Sequence, residues 1–104
     1  MIVINIGSDN LIRVDELTNE ATDEYVNDAT VTMTLRDSDL EVVSGAQSLS
    51  LTYVAASNGR YHGALPDTLS LTAGSLYFLD VTTVSGSITR LDRIPCRAHY
   101  AIGD

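Results

Sequence analysis

With 104 residues, the chain has room for one domain and one modest core. Its 44% hydrophobic and 19% charged residues fit a folded globular protein and argue against wholesale disorder. Fourteen acids against six arginines and no lysine give a net charge of −8. That balance excludes nucleic-acid binding through a basic face, because phosphate contacts need clustered cations, and it disfavours an anionic membrane surface. One cysteine cannot form an internal disulfide, so stability must come from packing or from assembly. No run approaches the roughly 20 apolar residues of a membrane-spanning helix. Met1-Ile2-Val3-Ile4-Asn5 lacks a basic leader and a long apolar stretch, so no secretory signal is expected, and a cytosol is the expected compartment of assembly.

In chain order, residues 2–6 and 11–14 are short strand candidates separated by Gly7-Ser8-Asp9-Asn10. Residues 15–28 carry Asp15, Glu16, Glu20, Asp23, Glu24 and Asp28 with no cation and read mainly as an acidic loop. In Ala29-Thr30-Val31-Thr32-Met33-Thr34-Leu35 apolar positions alternate with threonines, which predicts a half-buried strand. Arg36-Asp37-Ser38-Asp39 is a turn cluster, and Leu40-Glu41-Val42-Val43 is a candidate return strand. Residues 47–54 predict a strand with Leu49, Leu51 and Tyr53 inward. Ser57-Asn58-Gly59 then signals a hairpin into residues 60–65, where Tyr61, Gly63 and Leu65 share a face. After the Ala73-Gly74 corner, residues 75–84 predict a long strand with Tyr77, Leu79 and Val81 inward. Ser85-Gly86-Ser87 turns into residues 88–100, with Ile94, Cys96, Ala98 and Tyr100 on one side and Arg93, Arg97 and His99 on the other. Pro95 lacks a backbone donor, so it predicts an edge or a bulge at that point.

Seven or so short strands at this spacing predict an all-β fold: a single antiparallel, immunoglobulin-like Greek-key β-sandwich over residues 1–104, with 1–24 as an extended or partly flexible N-terminal segment. Leu71-x-Ala73-Gly74-x-x-Tyr77 is similar to the tyrosine corner of such sandwiches; the alternative is that Tyr77 is a large core residue.

No nucleophile elbow, phosphate-binding loop, dinucleotide fingerprint or zinc helix occurs, so no enzyme, cofactor or metal is expected. His62 and His99 read as strand-surface residues rather than metal ligands. Asp37, Asp39 and Glu41 alternate as calcium ligands do, but the segment lacks the glycine and length of a calcium loop and reads as a turn. Cys96 shares a face with Ile94 and Ala98 and is expected to be buried and inert despite its arginine neighbours.

Two features point to contact between subunits. Acids, among them Glu20, Asp23 and Glu24, gather before residue 29, whereas Arg90, Arg93 and Arg97 supply half of all cations within eight residues. These groups either pair within one domain or mate between neighbouring copies. Leu76 and Phe78 point away from the Tyr77 face, and Ile2-Val3-Ile4 is an apolar end segment, including Ile2 and Ile4 as candidate contacts. That segment either covers the outer face in its own chain or adds to a neighbour's sheet edge.

The string Asn27-Asp28-Ala29-Thr30-Val31-Thr32-Met33-Thr34-Leu35, followed by Leu51-Thr52-Tyr53-Val54, Asn58-Gly59-Arg60-Tyr61, Gly63, Leu65-Pro66, Leu71-Thr72-Ala73-Gly74 and Tyr77, resembles small immunoglobulin-like structural proteins of tailed bacteriophages over residues 25–82. The same pattern recurs in bacterial adhesin and cell-surface sandwich modules. The resemblance implies a non-enzymatic component of the virion, assembled in the host cytoplasm, most simply a capsid decoration or cement subunit. Its expected partners are other virion proteins (major capsid, neck or tail protein) and copies of itself. The alternatives are a head–tail connector or tail component, or a module that recognises carbohydrate or a host surface, with Tyr25 and Tyr100 as its exposed aromatics. The resemblance carries no catalytic or ligand residues onto this chain.

Overall fold

The computed structural model describes residues 2–15, 17–18, 24–57, 59–86 and 88–100, the Ile88 side chain apart. Seven strands follow in order: β1 (Ile2–Asn5), β2 (Asn10–Val14), β3 (Thr30–Arg36), β4 (Leu49–Tyr53), β5 (Tyr61–Leu65), β6 (Leu76–Ser85) and β7 (Ile88–His99). They form one mixed sheet in the order β1-β7-β6-β3-β4-β5-β2. β1 and β2, the two ends of that order, are joined by the turn at residues 6–9. Asn10 stitches the turn, its amide donating to the Asn5 and Ser8 carbonyls and its Oδ1 accepting from the Asn5 N–H. The sheet is thereby curled nearly into a barrel.

Three expectations need correction. The sheet is not wholly antiparallel, since β1 lies parallel to β7 from Ile2↔Cys96 to Asn5↔His99. The apolar N-terminal segment runs in the same direction as the last strand and places Ile4 beside Ala98, where both are fully buried. Residues 40–43 do not form a strand; only the bridge Arg36↔Val42 remains. The physical cause is Asp37, whose Oδ1 accepts the N–H groups of Asp39 and Glu41, tightening the segment into a turn. A third concerns Pro95: β7 lies between β1 and β6 rather than at an edge, and its register with β6 runs through Phe78↔Pro95 without a bulge.

The alternation read from the sequence decides what is buried. Val31, Met33 and Leu35 of β3 pair in register with Thr83, Val81 and Leu79 of β6. The apolar members of these pairs belong to the core with Ile4, Leu51, Leu65 and Cys96, whereas Thr83 is a buried polar residue among them. Each fully buried leucine-sized side chain contributes about 1.5–3 kcal/mol.

β4 holds the two halves of the sheet together. Its residues 49–51 pair with β3, whereas Thr52 and Tyr53 pair with His62 and Tyr61 of β5. The handover brings the β4 backbone across the inward face of β5. A Cβ on Gly63 would stand 2.6 Å from the Ser50 carbonyl oxygen, so only glycine fits there.

Two buried tyrosines fasten loops to this frame. Tyr77 accepts the Thr72 N–H at 2.8 Å, the upstream backbone contact expected of a tyrosine corner. Tyr61 donates to the Val26 carbonyl at 2.7 Å and accepts the Ala29 N–H at 3.1 Å, fixing the entry into β3. Burial pushes the Tyr61 phenol above its ordinary pKa. Nearby, the Gly59 N–H donates to Asn27 Oδ1 and the Leu17 N–H to the Gly59 carbonyl, so the described part of the acidic loop is tied to the β4–β5 turn.

Tyr61→Phe leaves a half-buried carbonyl and a half-buried N–H without their shared partner, and should cost about 1–2 kcal/mol in urea unfolding. Tyr77→Phe removes one accepted bond and should cost about 1 kcal/mol. A Tyr61→Phe variant as stable as the parent would show that the hydroxyl does not anchor the loop.

Candidate functional site: the outer face of β1, β7, β6 and β3

Residues opposite one another across adjacent strands share a face, so the register defines the side turned away from the core. Its rows run Val3–Arg97–Leu76, then Pro95–Phe78–Arg36, then Arg93–Asp80–Thr34. Beyond them lie Leu91–Thr82–Thr32 and Thr89–Val84–Thr30. Three arginines against one aspartate give this face a net +2 within a chain of −8. Val3 is 56% exposed and Leu91 58%.

At the centre, Asp80 is buried although it points outward. Arg93 binds it through both Nε (2.7 Å) and Nη2 (3.0 Å), and Arg36 Nε approaches at 2.9 Å from the other side. Arg36 also donates from Nη1 to the Leu40 carbonyl, linking the cluster to the Asp37 turn. The Arg93 guanidinium, and then that of Arg36, hold the Asp80 carboxyl below its usual range against the opposing effect of burial. Asp80 raises the pKa of Arg93 in return.

The sequence-derived contact residues fall into distinct environments. Leu76 and Phe78 do lie on the outer face, but half-buried, in register beside Arg97, Pro95 and Arg36, whose stems can shelter them. Ile2 is half-buried and Ile4 fully buried, so the end segment serves its own chain's sheet, and Ile4 offers no surface to a partner. β1 adds to the edge of β7 rather than covering the Leu76 face. Arg90 pairs with Asp92 at 3.0 Å, Arg93 with Asp80, and Arg97 donates to the Gly74 carbonyl at 2.7 Å. Asp15 is paired with Arg60 at 2.8 Å. The cations thus have oxygen partners in their own chain. Glu24 is exposed; Glu20 and Asp23 lie outside the described residues.

Other candidates separate rather than converge. His62 on β5 and His99 on β7 belong to strands that are not neighbours, and among the described residues no three metal-ligating side chains gather. Asp37 is spent on its own turn, as above. Cys96 is fully buried and burial raises its thiol pKa, which suits a core residue. Tyr25 and Tyr100 are both exposed, but Tyr25 precedes β3 and Tyr100 follows β7, at opposite ends of the strands, so they do not form one stacking platform. A cavity of about 220 Å³ lies under the β6–β7 hairpin, where Thr83, Arg90 and Asp92 face Val14, Asp15 and Leu17. Small-molecule sites are usually larger, about 300–1,000 Å³.

The buried outward Asp80 was the residue that sequence reading passed over. Its signal was a lone acid inside the apolar run Leu76-Tyr77-Phe78-Leu79-Asp80-Val81, on a strand next to one bearing arginines.

Comparison of the chain with protein-family models, with curated proteins and with solved structures found no match.

The depressed Asp80 carboxyl sets an acid limit to stability. An unfolded aspartate titrates near pH 4, and the folded one below that, so its contribution is full above about pH 4 and is lost as pH falls through the lower folded value. Asp80→Asn should cost about 1–2 kcal/mol at pH 7, at the lower end for a charged contact because both arginines are partly exposed. The gap should shrink by pH 3 in urea unfolding. Parallel pH profiles for parent and variant would remove the cluster from the acid response.

Proposed function

We propose that the chain is an immunoglobulin-like interaction module without catalytic activity, whose work is to hold protein surfaces together. Within that class we propose a structural subunit of a tailed-bacteriophage virion, in first place a capsid decoration or cement protein. The immunoglobulin-like reading is supported by the strand order, which runs β1-β7-β6-β3 on one side of β4 and β5-β2 on the other. It is supported also by the Tyr77 hydroxyl at the corner before β6. The virion reading rests on the sequence resemblance over residues 25–82.

One observation carries the functional class. The outer face combines arginine, threonine and exposed aliphatic side chains, with its single acid already neutralised, on a chain that is otherwise strongly acidic. Enrichment in arginine and depletion of lysine and acids mark surfaces that bind proteins. The arginines have partners in their own chain but keep spare guanidinium donors, so such a contact would combine apolar burial with salt-sensitive attraction of an acidic surface. Repetition around a shell would multiply modest single contacts by avidity.

The reading is tested on particles from a lysed culture of a strain carrying the gene, banded by density and analysed by quantitative mass spectrometry. The chain should band with the particles at many copies each, with the head fraction if it decorates the shell. Expression confined to the soluble fraction, with none on particles, would contradict it.

A further inference from the structure

We propose that the outer face of β1, β7, β6 and β3 receives the Asp39-Leu40-Glu41 turn of a second copy of this chain, in a head-to-face contact. The inference rests on the reading of the chain as an assembly subunit and names the contact that this reading needs.

The size of the face is suitable. At about 4.8 Å between strands and 3.4 Å per residue, the short β1, the seven-residue β3, the ten-residue β6 and the part of β7 beside it present roughly 500 Å². A standard interface takes about 800 Å² from each partner, more than a three-residue turn offers, so a single contact of this kind is weak and gains strength by repetition. Its charge selects the occupant. Two copies meeting face to face would set +2 against +2, so a two-fold contact through this surface is disfavoured, and an acidic surface fits instead.

The turn has the complementary composition. Leu40 is 43% exposed and Val42 37%, with Asp39 and Glu41 on either side of the leucine. Leu40 adopts φ 65°, a conformation costly for a bulky residue, and is held there by its N–H on the Asp37 carbonyl and by the Asp37 N–H on the Glu41 carbonyl. An apolar side chain is therefore presented rigidly at the tip of an acidic turn. On the receiving face, Leu91 stands next to Arg93 and Val3 next to Arg97, each an apolar residue beside a guanidinium. The turn adjoins the face in its own chain, where Arg36 holds the Leu40 carbonyl, so two copies either exchange turns reciprocally as a pair or pass them on in one direction as a ring or filament.

The test uses the full chain in light scattering and sedimentation. At about 50 mM salt the mass should rise with concentration, and it should fall back toward the 11.2 kDa monomer at about 500 mM, where screening shortens to a few ångströms. Leu91→Glu spoils the face at an exposed position. Asp39→Ser with Leu40→Gly spoils the turn, and glycine suits the positive φ, so folding is preserved or improved. Each variant alone should stay monomeric with an unchanged or higher Tm. An equimolar mixture should form a one-to-one pair and nothing larger, since the first variant keeps its turn and the second its face. A wild type monomeric at every concentration overturns the inference, as do variants that still assemble alone or a mixture that does not pair. Particle association is measured separately, so the virion reading and this contact fail independently.

Discussion

The fold depends on the handover made by β4. Within five residues this strand leaves β3 and joins β5, and it does so by laying its backbone over the inward face of β5 at Gly63. Remove that crossing and the sheet falls into two pieces, β1-β7-β6-β3 and β5-β2, each with an apolar side that nothing covers. With it, the pieces fold toward each other and enclose a common core. The outer face follows from the same geometry. The same crossing that turns Val31, Met33, Leu79 and Val81 inward leaves Thr32, Thr34, Phe78 and Asp80 on the opposite side.

On the proposed reading as an assembly subunit, that outer side would reconcile two demands. High net charge discourages unspecific association, yet such a subunit needs a surface on which a partner can settle. Here the acids are concentrated in turns and in the loop before β3, while the sheet face holds arginines. Asp80 fixes two of those arginines flat against the sheet rather than cancelling them, since Arg93 and Arg36 together exceed its charge. A buried carboxylate between guanidiniums costs desolvation, and its benefit lies as much in orienting the two forks as in stability.

Much of this was legible in the sequence where the signal is local. Alternation located β3, β4, β5, β6 and β7 to within a few residues, Ser57-Asn58-Gly59 located the turn between β4 and β5, and the spacing of Gly74 and Tyr77 located the corner hydroxyl. The failures were non-local. Nothing near Ile2 states that its strand will run parallel to one beginning 86 residues later, and a strand prediction carries no partner. Residues 40–43 have the apolar alternation of a strand, yet the Asp37 side chain offers their backbone a tighter alternative. The candidate contact residues were half legible: side assignment was right for Leu76, Phe78, Arg93 and Arg97, but Ile4 was drawn into the core by the parallel pairing. Gly63 carried a readable signal, a glycine in the middle of an inward-facing row, whose meaning depends on a strand arriving from elsewhere.

The most direct test of this account is the unfolding free energy of Gly63→Ala in urea, with Ala64→Gly on the exposed side of the same strand as control. A methyl group 2.6 Å from the Ser50 carbonyl oxygen has to push the β4 backbone off β5, so Gly63→Ala should lose about 2–3 kcal/mol. Ala64→Gly should lose no more than about 1 kcal/mol. A Gly63→Ala protein within about 0.5 kcal/mol of the parent would mean that the close crossing of β4 over β5 does not hold the sheet together.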